Sequence, residues 1–198
     1  QTLRKAIDLP EKDPEGVSLS FSTIELTRGP NDTFRGQIAI TKITPLDSAP
    51  AAKPILFAGG LHHKTAVYLS FLVALAKAEK RPIIAFDIPG VGASRLGKGI
   101  KVDHGMSYEA LTKVVKETVT PGEHCDLIAH SMGTIAARHL YFQQRSHKSD
   151  LSQVVDHFVM VAPAPAERER EGGLSFKPLF LQLSGAAVLF TCHVPSLM

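Results

Sequence analysis

Cysteine is scarce in this chain. Cys125 and Cys192 are the only two, too few for a disulfide framework. Cys125 stands in an apolar run and reads as a buried thiol, and neither cysteine has a metal-ligand neighbour at useful spacing. Charge of one sign is equally scarce. The formal net charge is +3, and no dense Lys/Arg block with interleaved aromatics occurs, which sets nucleic acid aside as a partner. Internal repeats and low-complexity tracts are lacking. No secretory apolar segment follows the start, but the sequence opens on Gln1 rather than Met, so this says nothing about a targeting segment removed upstream. Residues 178–198 lack Asp, Glu, Lys and Arg altogether. A membrane-spanning helix needs about 20 apolar residues. Here Gln182, Ser184, Gly185 and His193 interrupt the run and Pro195 breaks it, so a buried or lid helix is expected instead, with membrane contact resting on this tail alone.

What is present is an ordinary globular balance: 44% apolar and 21% charged residues in a chain of 198, enough for one domain with a real core. After a charged lead-in, residues 17–26 and 34–43 read as strands joined by the turn residues TRGPND, an antiparallel hairpin. The pattern then changes. Short apolar runs at 54–57, 82–88, 125–129 and 154–162 alternate with helical periodicity at 65–80, after Ser107, and at 132–143. Ser107 reads as the N-cap of the middle helix. Strands alternating with helices predict right-handed crossovers and a mostly parallel sheet with helices on both faces.

The chemistry concentrates in Ala129-His130-Ser131-Met132-Gly133, where a strand passes directly into a helix. Such a turn lifts the serine hydroxyl above the sheet edge and forces a strained backbone at the serine. The residues two before and two after must be small, and Ala129 and Gly133 satisfy this. The helix N-terminus behind Ser131 offers free N–H groups and a partial positive charge, suited to a developing oxyanion.

With its strand and helix in place, AHSMG is similar to the nucleophile-elbow string of lipases and esterases, and the chain resembles the α/β-hydrolase family. Asp87-Ile88-Pro89-Gly90-Val91-Gly92-Ala93-Ser94 resembles that family's D-x-x-G-x-G-x-S loop after the fourth strand. Ile55-Leu56-Phe57-Ala58-Gly59-Gly60 stands where the family has an apolar strand ending in His-Gly. The chain departs from the pattern at Ala58 or Gly59, in place of that His, and at Ala129, in place of the first elbow Gly; neither change removes a catalytic group.

The resemblance implies Ser131 as nucleophile, with oxyanion N–H donors at Gly60 or Leu61 and at Met132. His62 and His63 are candidates for a base, but the family's base comes from the far end of the chain, so they read as loop residues at the pocket mouth; His130 reads as structural by strand alternation, and His104 as a surface loop residue. Asp87 and Ser94 are expected to stabilise the loop after strand four. In the family's order the acid and the His follow the nucleophile. Six strands are counted here, ending near Val161. Residues 1–165 are therefore expected as the core and 166–198 as the start of a cap, with the remaining strands, acid and base beyond Met198. Two candidates within the chain are Glu167, after the sixth strand, and His193, after the apolar run 186–192, which could itself be a strand.

The function implied is a serine hydrolase that cleaves a carboxylic ester through an acyl-enzyme, with no metal or cofactor. The apolar tail points to a hydrophobic or lipid-like acyl group on a small-molecule ester. The rival reading is a non-catalytic α/β-hydrolase-like protein that binds a ligand or partner. A strained serine turn, which has no purpose in a simple binder, speaks against it.

Overall fold

Two uninterrupted apolar tetrapeptides, ILFA and IIAF, become the central strands β3 (Ile55–Ala58) and β4 (Ile83–Phe86), in which every residue is buried. Strands covered on both faces need no polar alternation. The computed structural model describes residues 9–28, 33–60, 64–101, 104–145, 154–162 and 189–193. Around the central pair are β1 (Val17–Arg28), β2 (Thr33–Pro45), the two-residue β5 (Arg95–Leu96), β6 (Cys125–His130), β7 (Val155–Val161) and β8 (Leu189–His193). Helices α1 (Thr65–Glu79), α2 (His104–Thr118) and α3 (Gly133–Arg145) connect them. The sheet order is β1-β2-β4-β3-β6-β7-β8, with β5 paired to β2. Strands β4, β3, β6 and β7 run parallel, and the β1–β2 hairpin joins β4 antiparallel. This is the mostly parallel sheet, with an antiparallel hairpin joined at one side, expected from the sequence.

The sheet has a core on each face. Leu56, Ala58, Ile84, Leu127 and Ala129 pack with Met106, Leu111 and Val114 of α2 and Ala136, Ala137 and Leu140 of α3. On the other face Val17, Ile43, Ile55, Phe57, Ile83 and Ala85 pack against Leu72 and Ala76 of α1. Strand β6 alternates between the two: Cys125, Leu127 and Ala129 are fully buried, while Asp126, Ile128 and His130 are half-buried. From β3 the chain steps to β4 over α1, then passes back over α2 to β6 on the far side of β3. The order reverses between β3 and β6, and the carboxyl ends of strands at such a point are where open α/β sheets bind ligands.

Three expectations need correction. Helix α2 begins at His104, so Ser107 lies in its first turn rather than at its cap, and His104 opens a helix rather than sitting in a loop. Strand β5 is too short to show any periodicity in sequence. In the apolar tail, Leu189–His193 forms a strand antiparallel to β7, where a helical or loosely ordered stretch at the sheet's carboxyl edge was expected. Its apolar residues extend the sheet by backbone pairing. Among the described residues no helix is long and apolar enough to cross a membrane.

Candidate active site

Ser131 follows the last residue of β6 and precedes Gly133, the first residue of α3. Its φ is +51°, a left-handed conformation that costs an L-residue about 1–2 kcal/mol. The surroundings impose it. The Ser131 N–H bonds the Val161 carbonyl at 3.1 Å, continuing the β6–β7 ladder. The Ser131 carbonyl accepts from the Thr134 N–H at 3.0 Å and from Thr134 Oγ1 at 2.6 Å, which starts the helix. Strand and helix thus claim the two sides of one residue, and the turn between them leaves the side chain half-exposed at the carboxyl edge. Among the described residues, none hydrogen-bonds Ser131 Oγ.

Gly133 is required by close approach. A Cβ there would overlap the carbonyl groups of Ala58 and Gly59. The small residue after the serine is therefore demanded by the end of β3, across the cleft, as well as by the turn itself. That contact brings the N-terminus of α3 against the segment Gly59–Gly60. The Met132 N–H lies ahead of the helix and outside its i→i−4 ladder, so it is one of the orphan donors of the helix start.

The other predicted donor is differently placed. The Gly60 N–H donates to the Tyr68 hydroxyl at 3.0 Å, so a phenol on α1 engages it. The same hydroxyl lies 3.0 Å from His130 Nδ1. His130 thus meets Tyr68 across the gap between β6 and α1. No pattern in the chain signals this contact, because a lone Tyr on an apolar helix face reads as core. Leu61, His62, His63 and Glu167 lie outside the described residues.

The register of β8 decides where His193 goes. His193 pairs with His157 near the start of β7, while Leu189 pairs with Val161 at its end. Val161 is also the partner of His130, so it marks the level of Ser131. His193 thus lies four residues along the strand from that level, at the amino edge of the sheet. Strands rise about 3.3 Å per residue, so the backbone pairing of β8 sets residue 193 at the opposite edge of the sheet from Ser131.

Asp87 and Ser94 stabilise the loop after β4, as expected. Asp87 Oδ1 accepts from the Thr65 N–H at 2.7 Å and Oδ2 from the Ala93 N–H at 2.9 Å. Ser94 Oγ donates to the Asp87 carbonyl at 2.6 Å and accepts from the Ala39 N–H at 2.8 Å. Cys125 is fully buried. Burial, with a smaller contribution from the Asp126 charge, pushes its thiol up to about 12, so it stays protonated and unreactive. Among the described residues no cluster of three or more His, Cys, Asp or Glu could hold a metal ion.

The alpha/beta hydrolase family profile matches residues 55–195. No curated protein sequence matches the chain significantly. Among solved structures, a protein classed as a CIB-like hydrolase from Thermoplasma acidophilum aligns with TM-score 0.54 at 18% identity, over 75% of this chain and 65% of its own. A protein classed as a hydrolase from Agrobacterium vitis S4 aligns with TM-score 0.56 at 22% identity, over 89% of this chain and 70% of its own. The thioesterase domain of the curacin biosynthetic pathway aligns with TM-score 0.53 at 18% identity, over 76% of this chain and 49% of its own. The chain thus spans about half to two thirds of the length of several solved structures it resembles. The profile match covers well over half of the chain, and the sheet order and Ser131 turn agree with it: this chain belongs to the α/β hydrolase family.

Proposed function

We propose that this chain carries the nucleophile of a serine hydrolase acting on a carboxylic ester, with Ser131 forming the acyl-enzyme. The observation that carries the reading is the left-handed backbone of Ser131 (φ +51°) between β6 and α3. A strained residue persists only where its surroundings over-determine it, and such residues cluster at functional sites.

In the proposed reaction Ser131 Oγ attacks the acyl carbon while an imidazole takes its proton. The carbonyl oxygen becomes an oxyanion, which the Met132 N–H and a backbone N–H of the loop after β3 stabilise. One such donor contributes about 3 kcal/mol. Collapse expels the alcohol, which receives the proton from the imidazolium, and leaves an ester on Ser131. Water, deprotonated by the same imidazole, then releases the acid and regenerates the serine. In the family's chain order the acid and the histidine follow the nucleophile, and the proposal places both there. The substrate is a small-molecule ester with an apolar acyl group.

The test is hydrolysis of a short-chain aryl ester by the full-length protein and by its Ser131→Ala variant. Turnover should depend on Ser131, with loss of at least roughly a thousandfold in kcat. Equal turnover in both would refute the assignment, and no turnover in either would favour the ligand-binding alternative.

A further inference from the structure

Tyr68 touches both walls of the proposed site. It is the fourth residue of α1. Its ring packs edge-on against Phe57 at 4.8 Å between centroids and T-shaped against His130 at 5.6 Å. Its hydroxyl takes the Gly60 N–H at 3.0 Å and lies 3.0 Å from His130 Nδ1. Gly60 belongs to the loop after β3, and His130 is the residue immediately before Ser131. The absence of a side chain at Gly59 makes room for the ring: a Cβ there would stand 3.1 Å from Tyr68 Cε2. In one assignment that satisfies both contacts, the phenol accepts from Gly60 and donates to His130 Nδ1, with the imidazole proton on Nε2.

We propose that Tyr68 is a positioning residue, whose hydroxyl joins Gly60 to His130 and so fixes the loop after β3 relative to Ser131. This rests on the serine-hydrolase reading above. The link spans the gap across which the oxyanion is to be held, because β3 and β6 are neighbouring parallel strands whose ends carry the two walls. It also engages the Gly60 amide: Gly60 is tied toward α1, so it serves the site as an anchor and not as a donor. A displacement of about 1 Å in such a site can cost roughly a hundredfold in rate, and the hydroxyl is the group that opposes it.

The experiment uses the full-length protein and Tyr68→Phe, which keeps the ring against Phe57 and removes only the hydroxyl. Hydrogen exchange of the wild-type Gly60 amide is read first. Protection is expected, with exchange at least roughly tenfold faster in Tyr68→Phe. Aryl-ester kinetics should show kcat lowered roughly ten- to a hundredfold with KM within about twofold, the signature of an interaction that matters to the transition state. A residue needed only for folding would lower the amount of active enzyme and the melting temperature without selective loss of Gly60 protection. Free exchange of Gly60 in the wild type overturns the proposal whether or not the variant folds. Unchanged kcat in Tyr68→Phe, with Ser131→Ala inactive, overturns it while leaving the nucleophile intact. Turnover that survives Ser131→Ala overturns the nucleophile assignment beneath it, a distinct failure.

Discussion

Ser131 and Gly133 meet opposite conformational demands within three residues. Ser131 adopts a backbone that suits glycine, while Gly133 is glycine because no Cβ fits beneath Ala58 and Gly59. The first is backbone strain and the second is packing, and substitutions separate them. Ser131→Gly should relieve the left-handed strain and unfold with a free energy about 1 kcal/mol higher than Ser131→Ala, which keeps a Cβ; both should lack esterase activity. Urea unfolding of the pair checks this, and equal stabilities would mean that no strain is stored. Gly133→Ala should cost about 1–3 kcal/mol by overpacking, measured in the same way, and should lower kcat because the overlap pushes α3 away from β3. At this scale the serine was legible, because the string, the strand and the helix are contiguous. Tyr68 was not, since its partners are 8 and 62 residues away, and only a hydroxyl position distinguishes it from core.

Helix α1 starts without a cap of its own. Lys64 makes no side-chain capping bond, and no acidic residue stands in the first turn. Asp87, at the end of β4, supplies the anion instead by accepting from the Thr65 N–H, and a second bond to the Ala93 N–H ties the following loop to the same carboxylate. Hydrogen bonds to a charged acceptor contribute about 1.5–3 kcal/mol each, so Asp87→Ala should lose about 3 kcal/mol in denaturant unfolding. A loss below about 1 kcal/mol would remove the carboxylate from this role. The D-x-x-G-x-G-x-S loop was legible as a loop clamp, but its service to a helix 22 residues earlier in the chain was not. The element boundaries divide in the same way. Long periodic segments were placed within a few residues, whereas the start of α2 was misread because Ser107 resembles a cap three residues inside the helix. The apolar run 186–192 fits a strand or a lid helix equally well until pairing with β7 decides it.

Across the whole molecule, the described ionic network gathers at the sheet edge opposite Ser131. Lys53 bridges Asp126 at 2.5 Å and Asp156 at 2.7 Å, and Arg81 bonds Asp126 at 2.7 Å. His157 and His124 add contacts of 2.8 Å to Asp126 and Asp156. The network thereby joins the starts of β3, β6 and β7. Burial works against ionisation of both carboxyls, but the bonds from Lys53 and its neighbours outweigh it and hold them below the ordinary value of 3.8. Burial likewise disfavours the Lys53 charge, yet its two carboxylate partners raise it above 10.5. For the carboxyls, the contribution to stability is present above their unfolded value and is lost as the pH falls through the lower folded value. For Lys53 it is present below 10.5 and is lost as the pH rises through the higher folded value. The network should therefore leave a plateau between these limits, and Asp126→Asn should flatten the acid limb of unfolding free energy against pH; an unchanged limb would contradict it. None of this was visible in sequence, because the charged groups come from four separate segments and form no motif.

The proposed function stands or falls with Ser131 as an activated nucleophile. The most direct measurement is to treat the full-length protein with a fluorophosphonate and map the adduct by peptide mass spectrometry. A single adduct is expected on Ser131, in the peptide that joins β6 to α3, and none in Ser131→Ala. An adduct on another residue, or no adduct in a correctly folded protein, would contradict it.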